Sequence, residues 1–266
     1  MELLQTETDI GLIRKNNEDT ALAISHPKNK RIKLLLVADG MGGKAHGEIA
    51  SNYVTSAINK WFNNKEPKEL NDIEKTESLL KRLIKKINND LIKEFGLNNL
   101  GTTLTLALIT YRKTIFLNVG DSRGYLFKNR NLIQVTEDDS DVWSYYKYGA
   151  VRKDDLRYFS NNNIINACIG LSNELCRITT TIVKNDYDML FLFTDGVTDL
   201  ITDKKIKKII NSNDKCEILK KIINEAVNVN QHLHVPIRLL RKRYVSYIIP
   251  FKGRDNATGA IYVKEV

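Results

Sequence analysis

Three apolar runs in this chain lead straight into an aspartate, a residue that can ligate hard cations or move a proton. Leu34-Leu35-Leu36-Val37-Ala38 runs into Asp39-Gly40, Phe116-Leu117-Asn118-Val119-Gly120 into Asp121, and Leu190-Phe191-Leu192-Phe193-Thr194 into Asp195-Gly196. Two more runs begin just after acids: Glu18-Asp19 precedes residues 20–25, and Asp255-Asn256 precedes residues 257–263. A single Asp-Gly reads most simply as a strand-ending turn. Repetition in one sense of placement says more. If neighbouring runs are antiparallel strands, the exits of one set lie beside the entrances of the other, and the carboxylates gather at one sheet edge.

Carboxylates that close repel by roughly 4 kcal/mol per pair at 4 Å and an effective dielectric of 20. They must take up protons or bind divalent cations. Oxygen ligands without histidine or cysteine beside them favour magnesium or manganese over zinc or copper. The glycine after Asp39 leaves room for a backbone carbonyl to approach an ion. Two ions about 3.5–4 Å apart can activate a bridging water and clamp a phosphoryl group for in-line attack. Arg14, four residues before Glu18, offers a guanidinium fork matched to phosphate oxygens. Taken alone, it would read as a surface arginine in an Asn-rich loop.

The elements that position these residues follow from periodicity. Short β-branched and aromatic runs bounded by Asn, Asp or Gly predict strands over 20–25, 32–38, 103–109, 114–119, 124–127, 178–183, 189–193 and 257–263. Helical spacing of Ala50, Val54, Ala57, Ile58 and Trp61 predicts a helix over 48–61, and Leu80, Leu83, Ile84, Ile87, Leu91 and Phe95 predict another over 72–95. A late helical pair is expected near 203–210 and 214–226. Charged outer faces make these helices one-sided covers, so the expected architecture is α+β, two stacked sheets with helices outside. No Pro-, Gly- or Ser-rich linker interrupts it, which predicts one domain over 1–266.

At 266 residues, 42% hydrophobic and 27% charged, the composition is that of a soluble globular protein. No run of about 18 apolar residues predicts a membrane span, and the first residues lack a signal-peptide pattern. Cys168, Cys176 and Cys216 are odd in number and far apart, which argues against a disulfide framework and for a reducing, cytoplasmic setting. The net charge of +9 accompanies a Lys/Asn/Ile-rich composition and so says little about nucleic acid. Residues 231–252 stand apart, with His232, His234, Arg238, Arg241, Lys242, Arg243, Tyr244 and Tyr247. A solvated surface hairpin or helix is the simpler reading, and a docking surface the functional one. His232 and His234 lack a third ligand for a metal.

Six stretches in order carry a resemblance: D-I-G-L-I-R-K-N-N-E-D (9–19), V-A-D-G-M-G-G (37–43), G-T-T (101–103), N-V-G-D-S-R-G-Y-L (118–126), L-F-L-F-T-D-G-V-T-D (190–199) and D-N-A-T (255–258). Together they resemble the metal-dependent protein phosphatases of type 2C, in their bacterial form. The resemblance implies a four-layer α-β-β-α sandwich of two mainly antiparallel sheets flanked by helices, and a serine/threonine phosphatase that attacks phosphoserine and phosphothreonine with a metal-activated water and opposes a protein kinase. It also implies two manganese or magnesium ions, with a third in bacterial members. Asp39, Asp195 and Asp255 would hold one ion, and Asp39 with the Gly40 carbonyl the second. Glu18 and Asp19 would bind the second ion's waters, Asp121 with Asp195 would match the third position, and Arg14 would grip phosphate. Gly-Thr-Thr and Asp-Ser-Arg look structural.

Departures from the family pattern are specific. Met41 stands where animal members carry a histidine proposed as general acid, and Asp139 replaces a usual histidine. The flap, about 140–170, reads F-S-N-N-N where a histidine-proline-arginine pattern is common, and 231–252 looks like a basic insertion. A catalytically inactive module that binds phosphoproteins is the competing reading, and a nucleic-acid binder the third. Phosphorylated proteins are the expected partners of a monomeric, non-membrane chain.

Overall fold

The central strands of this protein bury both faces, and alternation sorts their side chains into different cores. The computed structural model describes residues 2–42, 47–158, 165–173, 177–228, 231–238, 244–251 and 255–265, with 157–158, 231–238 and 244–251 described in backbone alone. Its strands are β1 (Leu3–Asp9), β2 (Asp19–His26), β3 (Asn29–Gly42), β4 (Leu100–Thr102), β5 (Leu104–Ile109), β6 (Lys113–Val119), β7 (Arg123–Lys128), β8 (Asn131–Gln134), β9 (Thr179–Lys184), β10 (Met189–Phe193), β11 (Gln231–Arg238), β12 (Tyr244–Phe251) and β13 (Ala257–Val263). The helices are α1 (Gly47–Asn63), α2 (Pro67–Leu70), α3 (Ile73–Phe95), α4 (Asp141–Lys147), α5 (Asp195–Thr198), α6 (Asp203–Ser212) and α7 (Ile218–Asn228), with a 3-10 turn over Lys153–Tyr158.

One sheet has the order β1-β13-β10-β7-β8, the other β2-β3-β5-β6-β9 with β4 pairing β3. In β3, Leu34 and Leu36 pack outward with Val54 and Ile58 of α1 and Leu80 and Ile84 of α3. Leu35 and Val37 point the other way and meet Leu190, Leu192 and Ala260 of the opposite sheet. In β10 and β13, Phe191, Phe193 and Ile261 pack under α6 and α7 with Ile206, Ile210, Ile222 and Ile223. This period-two division gives the expected helix-sheet-sheet-helix layering.

The predicted strands are present, with β10 and β13 matching in bounds. Three differences have physical causes. β3 runs on through Asp39-Gly40 to Gly42, because Gly40, Met41 and Gly42 pair with Thr102, Gly101 and Leu100; the first Asp-Gly is inside a strand, not at its end. Asp195-Gly196 opens the short helix α5. α7 begins at Ile218 rather than 214, after a turn in which Glu217 N–H donates to the Asp214 carbonyl. Within the basic insertion β11 and β12 pair with each other antiparallel, and among the described residues neither pairs with a large sheet. The side chains of His232, His234, Arg238, Tyr244 and Tyr247 lie outside the described residues, as do Arg241, Lys242, Arg243, Gly43, Cys176 and the F-S-N-N-N stretch. Cys168 and Cys216 are free. Among the described residues no helix is long and apolar enough to cross a membrane.

Candidate active site

Strand pairing brings the acids together. In the β2–β3 ladder Asp19 sits directly across from Asp39, the predicted meeting of an entrance with an exit. In the other sheet β10 ends beside the start of β13, with Phe193 opposite Gly259 and the Thr194 N–H donating to the Thr258 carbonyl at 3.0 Å. That places Asp195 near Asp255. The two sheets join where Thr194 Oγ1 donates to Asp19 Oδ2 at 2.9 Å.

Backbone anchors hold the acids in place. The Asp39 N–H donates to Thr103 Oγ1 at 3.0 Å, and its carbonyl accepts from Thr102 Oγ1 and Thr103 N, both at 2.9 Å. The Gly-Thr-Thr segment therefore positions Asp39. Glu18 accepts on Oε1 from Gly47 N at 3.0 Å, and its carbonyl accepts from Ser51 Oγ at 2.6 Å and Gly40 N at 3.1 Å. Gly40 is needed for packing: a Cβ there would lie 2.3 Å from the Gly47 carbonyl oxygen and 2.5 Å from that of Glu18.

Burial and mutual repulsion set the electrostatics. Burial pushes the carboxyls of Asp19 and Asp39 well above the usual range; Asp195 and Asp255 push both further, and Asp19 adds to the effect on Asp39. Burial, then the Asp255 charge, pushes Asp195 up to about 6. Asp121 is raised by burial and by Asp195, Asp138 and Asp199. Three of the predicted ligands, Asp39, Asp121 and Asp195, thus share with Asp19 an environment that strips water from their charged forms and adds the repulsion of neighbouring carboxylates. Arg14 Nη2 donates to Asp255 Oδ2 at 2.7 Å, with 47% of the arginine side chain exposed. Asp255, and then the nearby charges of Glu18 and Asp39, raise the guanidinium's affinity for its proton.

Among the described residues, no three acidic, histidine or cysteine side chains already surround a single ion-sized point. The oxygens are turned to substitutes: Arg14 on Asp255, Thr194 on Asp19, and a hydrogen bond between Asp39 and Asp195. Two buried oxygens, Asp19 Oδ1 and Asp195 Oδ1, have no hydrogen-bond partner. Buried acceptors without donors are costly. Unsatisfied oxygens in an all-carboxylate set fit hard divalent cations.

Sequence reasoning missed three residues here. Asp199 lies one helical turn beyond Asp195, its N–H donating to the Asp195 carbonyl at 2.8 Å, and its charge reaches Asp121; the D-G-V-T-D spacing was the available signal. Asp138 is buried and takes two parallel bonds from Arg123, Nε to Oδ1 at 3.0 Å and Nη2 to Oδ2 at 2.6 Å, so the Asp-Ser-Arg turn is a scaffold as expected. Asn256 is the third. It accepts from Glu18 N at 2.8 Å and donates to the carbonyls of Ile10 at 2.9 Å and Asn16 at 3.0 Å. Asp139, the departure at a usual histidine, accepts from Arg177 Nη1 at 3.2 Å, and its carbonyl accepts from Asn166 N at 2.7 Å. It ties the two sides of the flap region.

A family model for protein phosphatase 2C matches residues 14–230. The chain belongs to the protein phosphatase 2C family. The match takes in Arg14, Glu18, Asp19, Asp39, Gly40, Asp121 and Asp195 and stops before β11, so Asp255 lies beyond it. The serine/threonine phosphatase stp of Listeria monocytogenes is 32% identical over 209 residues, 77% of this chain and 81% of the relative. Stp1 from Staphylococcus aureus has a solved structure that superposes with a TM-score of 0.81 at 27% identity, covering 100% of this chain and 96% of that one. The catalytic domain of the phosphatase PstP, solved in complex with two manganese ions, superposes at 0.73 with 26% identity over 98% of this chain and 97% of that one. The phosphatase 2C family is metal-dependent, which agrees with the unsatisfied oxygens at this sheet edge.

Proposed function

We infer that this chain is a serine/threonine protein phosphatase that hydrolyses phosphoserine and phosphothreonine in phosphorylated proteins. The observation that carries the reading is the set of mutually perturbed carboxylates at one sheet edge, with buried oxygens left unsatisfied, beside a half-exposed arginine. In this reading Asp39, Asp195 and Asp255 would hold one divalent ion, and Asp39 with the Gly40 carbonyl would hold a second. Glu18 and Asp19 would orient water at the second. Asp121 with Asp195 forms a third position, to which Asp199 adds a carboxylate. Manganese or magnesium fits this oxygen set. Bound divalent ions supply a water of lowered pKa and a positive clamp for phosphoryl transfer.

The chain's own residues do the rest. Arg14 exchanges its contact with Asp255 for the substrate's phosphate oxygens, where a guanidinium makes charge-assisted bonds. Asn256 fixes the loop on which Arg14 and Glu18 ride. Met41 has no proton to give, so the leaving alkoxide is protonated by water. Residues 1–266 act as one monomeric phosphatase domain in the cytoplasm, opposing a protein kinase, with the flap controlling access.

The test is release of phosphate from a phosphothreonine peptide with manganese present. Asp39→Asn should lower the rate at least about a hundredfold, as loss of a charge-stabilising group does, while the circular-dichroism spectrum stays that of the parent. Full activity in that variant would refute the mechanism. Tight phosphopeptide binding without turnover by the parent protein would favour the binding-module reading instead.

A further inference from the structure

The loop that carries Arg14 also carries three large aliphatic side chains in solvent. Ile10 is 39% exposed and Leu12 and Ile13 are each 59% exposed. Single exposed aliphatic residues are ordinary, but three within four positions concentrate apolar surface on one short loop beside Arg14.

This loop is tied down on both sides of the patch. Gly11 N donates to Asp9 Oδ1 at 2.8 Å, Asn256 Nδ2 holds the carbonyls of Ile10 and Asn16, and Arg14 is bonded to Asp255. A fixed backbone with outward aliphatic side chains can bind an apolar group without first losing much conformational entropy.

Position names the occupant. Consecutive Cα atoms are about 3.8 Å apart, so those of Leu12 and Ile13 lie within about 8 Å of that of Arg14. An extended peptide advances about 3.4 Å per residue. A peptide whose phosphate is held by Arg14 therefore brings the residues one or two places from its phosphorylated side chain within reach of the patch. We propose that Ile10, Leu12 and Ile13 form an apolar docking rim for a bulky aliphatic or aromatic side chain flanking the phosphorylated residue of the protein substrate. The proposal rests on the phosphatase reading above and specifies its substrate.

The experiment compares two phosphothreonine peptides that differ only in carrying leucine or serine at the two positions on either side of the phosphothreonine. p-Nitrophenyl phosphate, which has no flanking residues, serves as control. The parent protein should favour the leucine peptide by about tenfold in kcat/KM. In Leu12→Ser/Ile13→Ser the preference should shrink to within about twofold, with p-nitrophenyl phosphate turnover and thermal midpoint unchanged, because both side chains are already in solvent. Equal kcat/KM on the two peptides, or a preference that survives in the double variant, would overturn the rim. Loss of self-association in the variant with its peptide preference intact would assign the patch to a second copy and overturn it too. A parent protein inactive on p-nitrophenyl phosphate with manganese would instead sink the phosphatase reading, and this proposal with it.

Discussion

Asn256 is 2% exposed and its amide is used in full. Replacing it with alanine leaves the Glu18 N–H and two carbonyls without partners, at a cost of about 2–4 kcal/mol. The variant Asn256→Ala should therefore melt lower. It should also show a raised KM for phosphopeptides, because the loop that aims Arg14 loses its tether; thermal denaturation and steady-state kinetics check both. An unchanged KM would mean that Arg14 is aimed by Asp255 alone. The contrast with the aspartates is instructive. An acid at a strand end announces its chemistry in the sequence. An asparagine in D-N-A-T announces only a turn, and its three bonds join stretches some 240 residues apart. Asp138 was equally silent, since nothing in T-E-D-D-S says which acid will meet Arg123.

At the scale of elements, the two Asp-Gly pairs solve different problems. β3 carries Asp39 through the sheet edge rather than up to it, and Gly40 lets that strand touch α1 backbone to backbone. α5 starts at Asp195, and Gly196 lets the helix press against the entrance of β13: a Cβ there would stand 2.0 Å from the Asn256 carbonyl oxygen. Since the obstacle is backbone, Gly196→Ala must push Asp195 and Asp255 apart. The expected result is a loss of about 1–3 kcal/mol of stability together with weaker manganese binding, read by chemical denaturation and calorimetry. A variant with undiminished manganese affinity would show that the two strand ends move as one body. Elements with a strong apolar period were legible, as β10 and β13 show. β1 was not, because Gln5, Thr6, Glu7 and Thr8 give a half-exposed edge strand little apolar signal, and β8 is short with alternate residues in solvent.

Over the whole molecule, the buried carboxylate cluster couples fold to acidity. Asp195 has an ordinary value of 3.8 and is pushed up to about 6 when folded. Between those values this carboxyl holds a proton in the folded metal-free chain that it lacks in the unfolded one, so its own contribution to stability is fully present below about 4 and is lost as pH rises through about 6. A shift of this size corresponds to a loss on the order of 3 kcal/mol. Divalent ions binding the ionised carboxylates should reverse it. Melting curves of chelator-stripped protein should drop between pH 4 and 6.5, and manganese should restore the midpoint most strongly at the upper end. A stripped midpoint that is flat across that interval would count against a strained carboxylate cluster. The sequence by itself determined the layered α+β architecture, the acids at strand ends and the family, because period-two burial and ordered motifs are local properties of a chain. Only the tertiary structure decided that Asp19 faces Asp39, that Arg14 rests on Asp255, and that Asn256 ties the loop to β13. Those contacts depend on the register and packing of two sheets, and no single stretch of sequence encodes the distance between them.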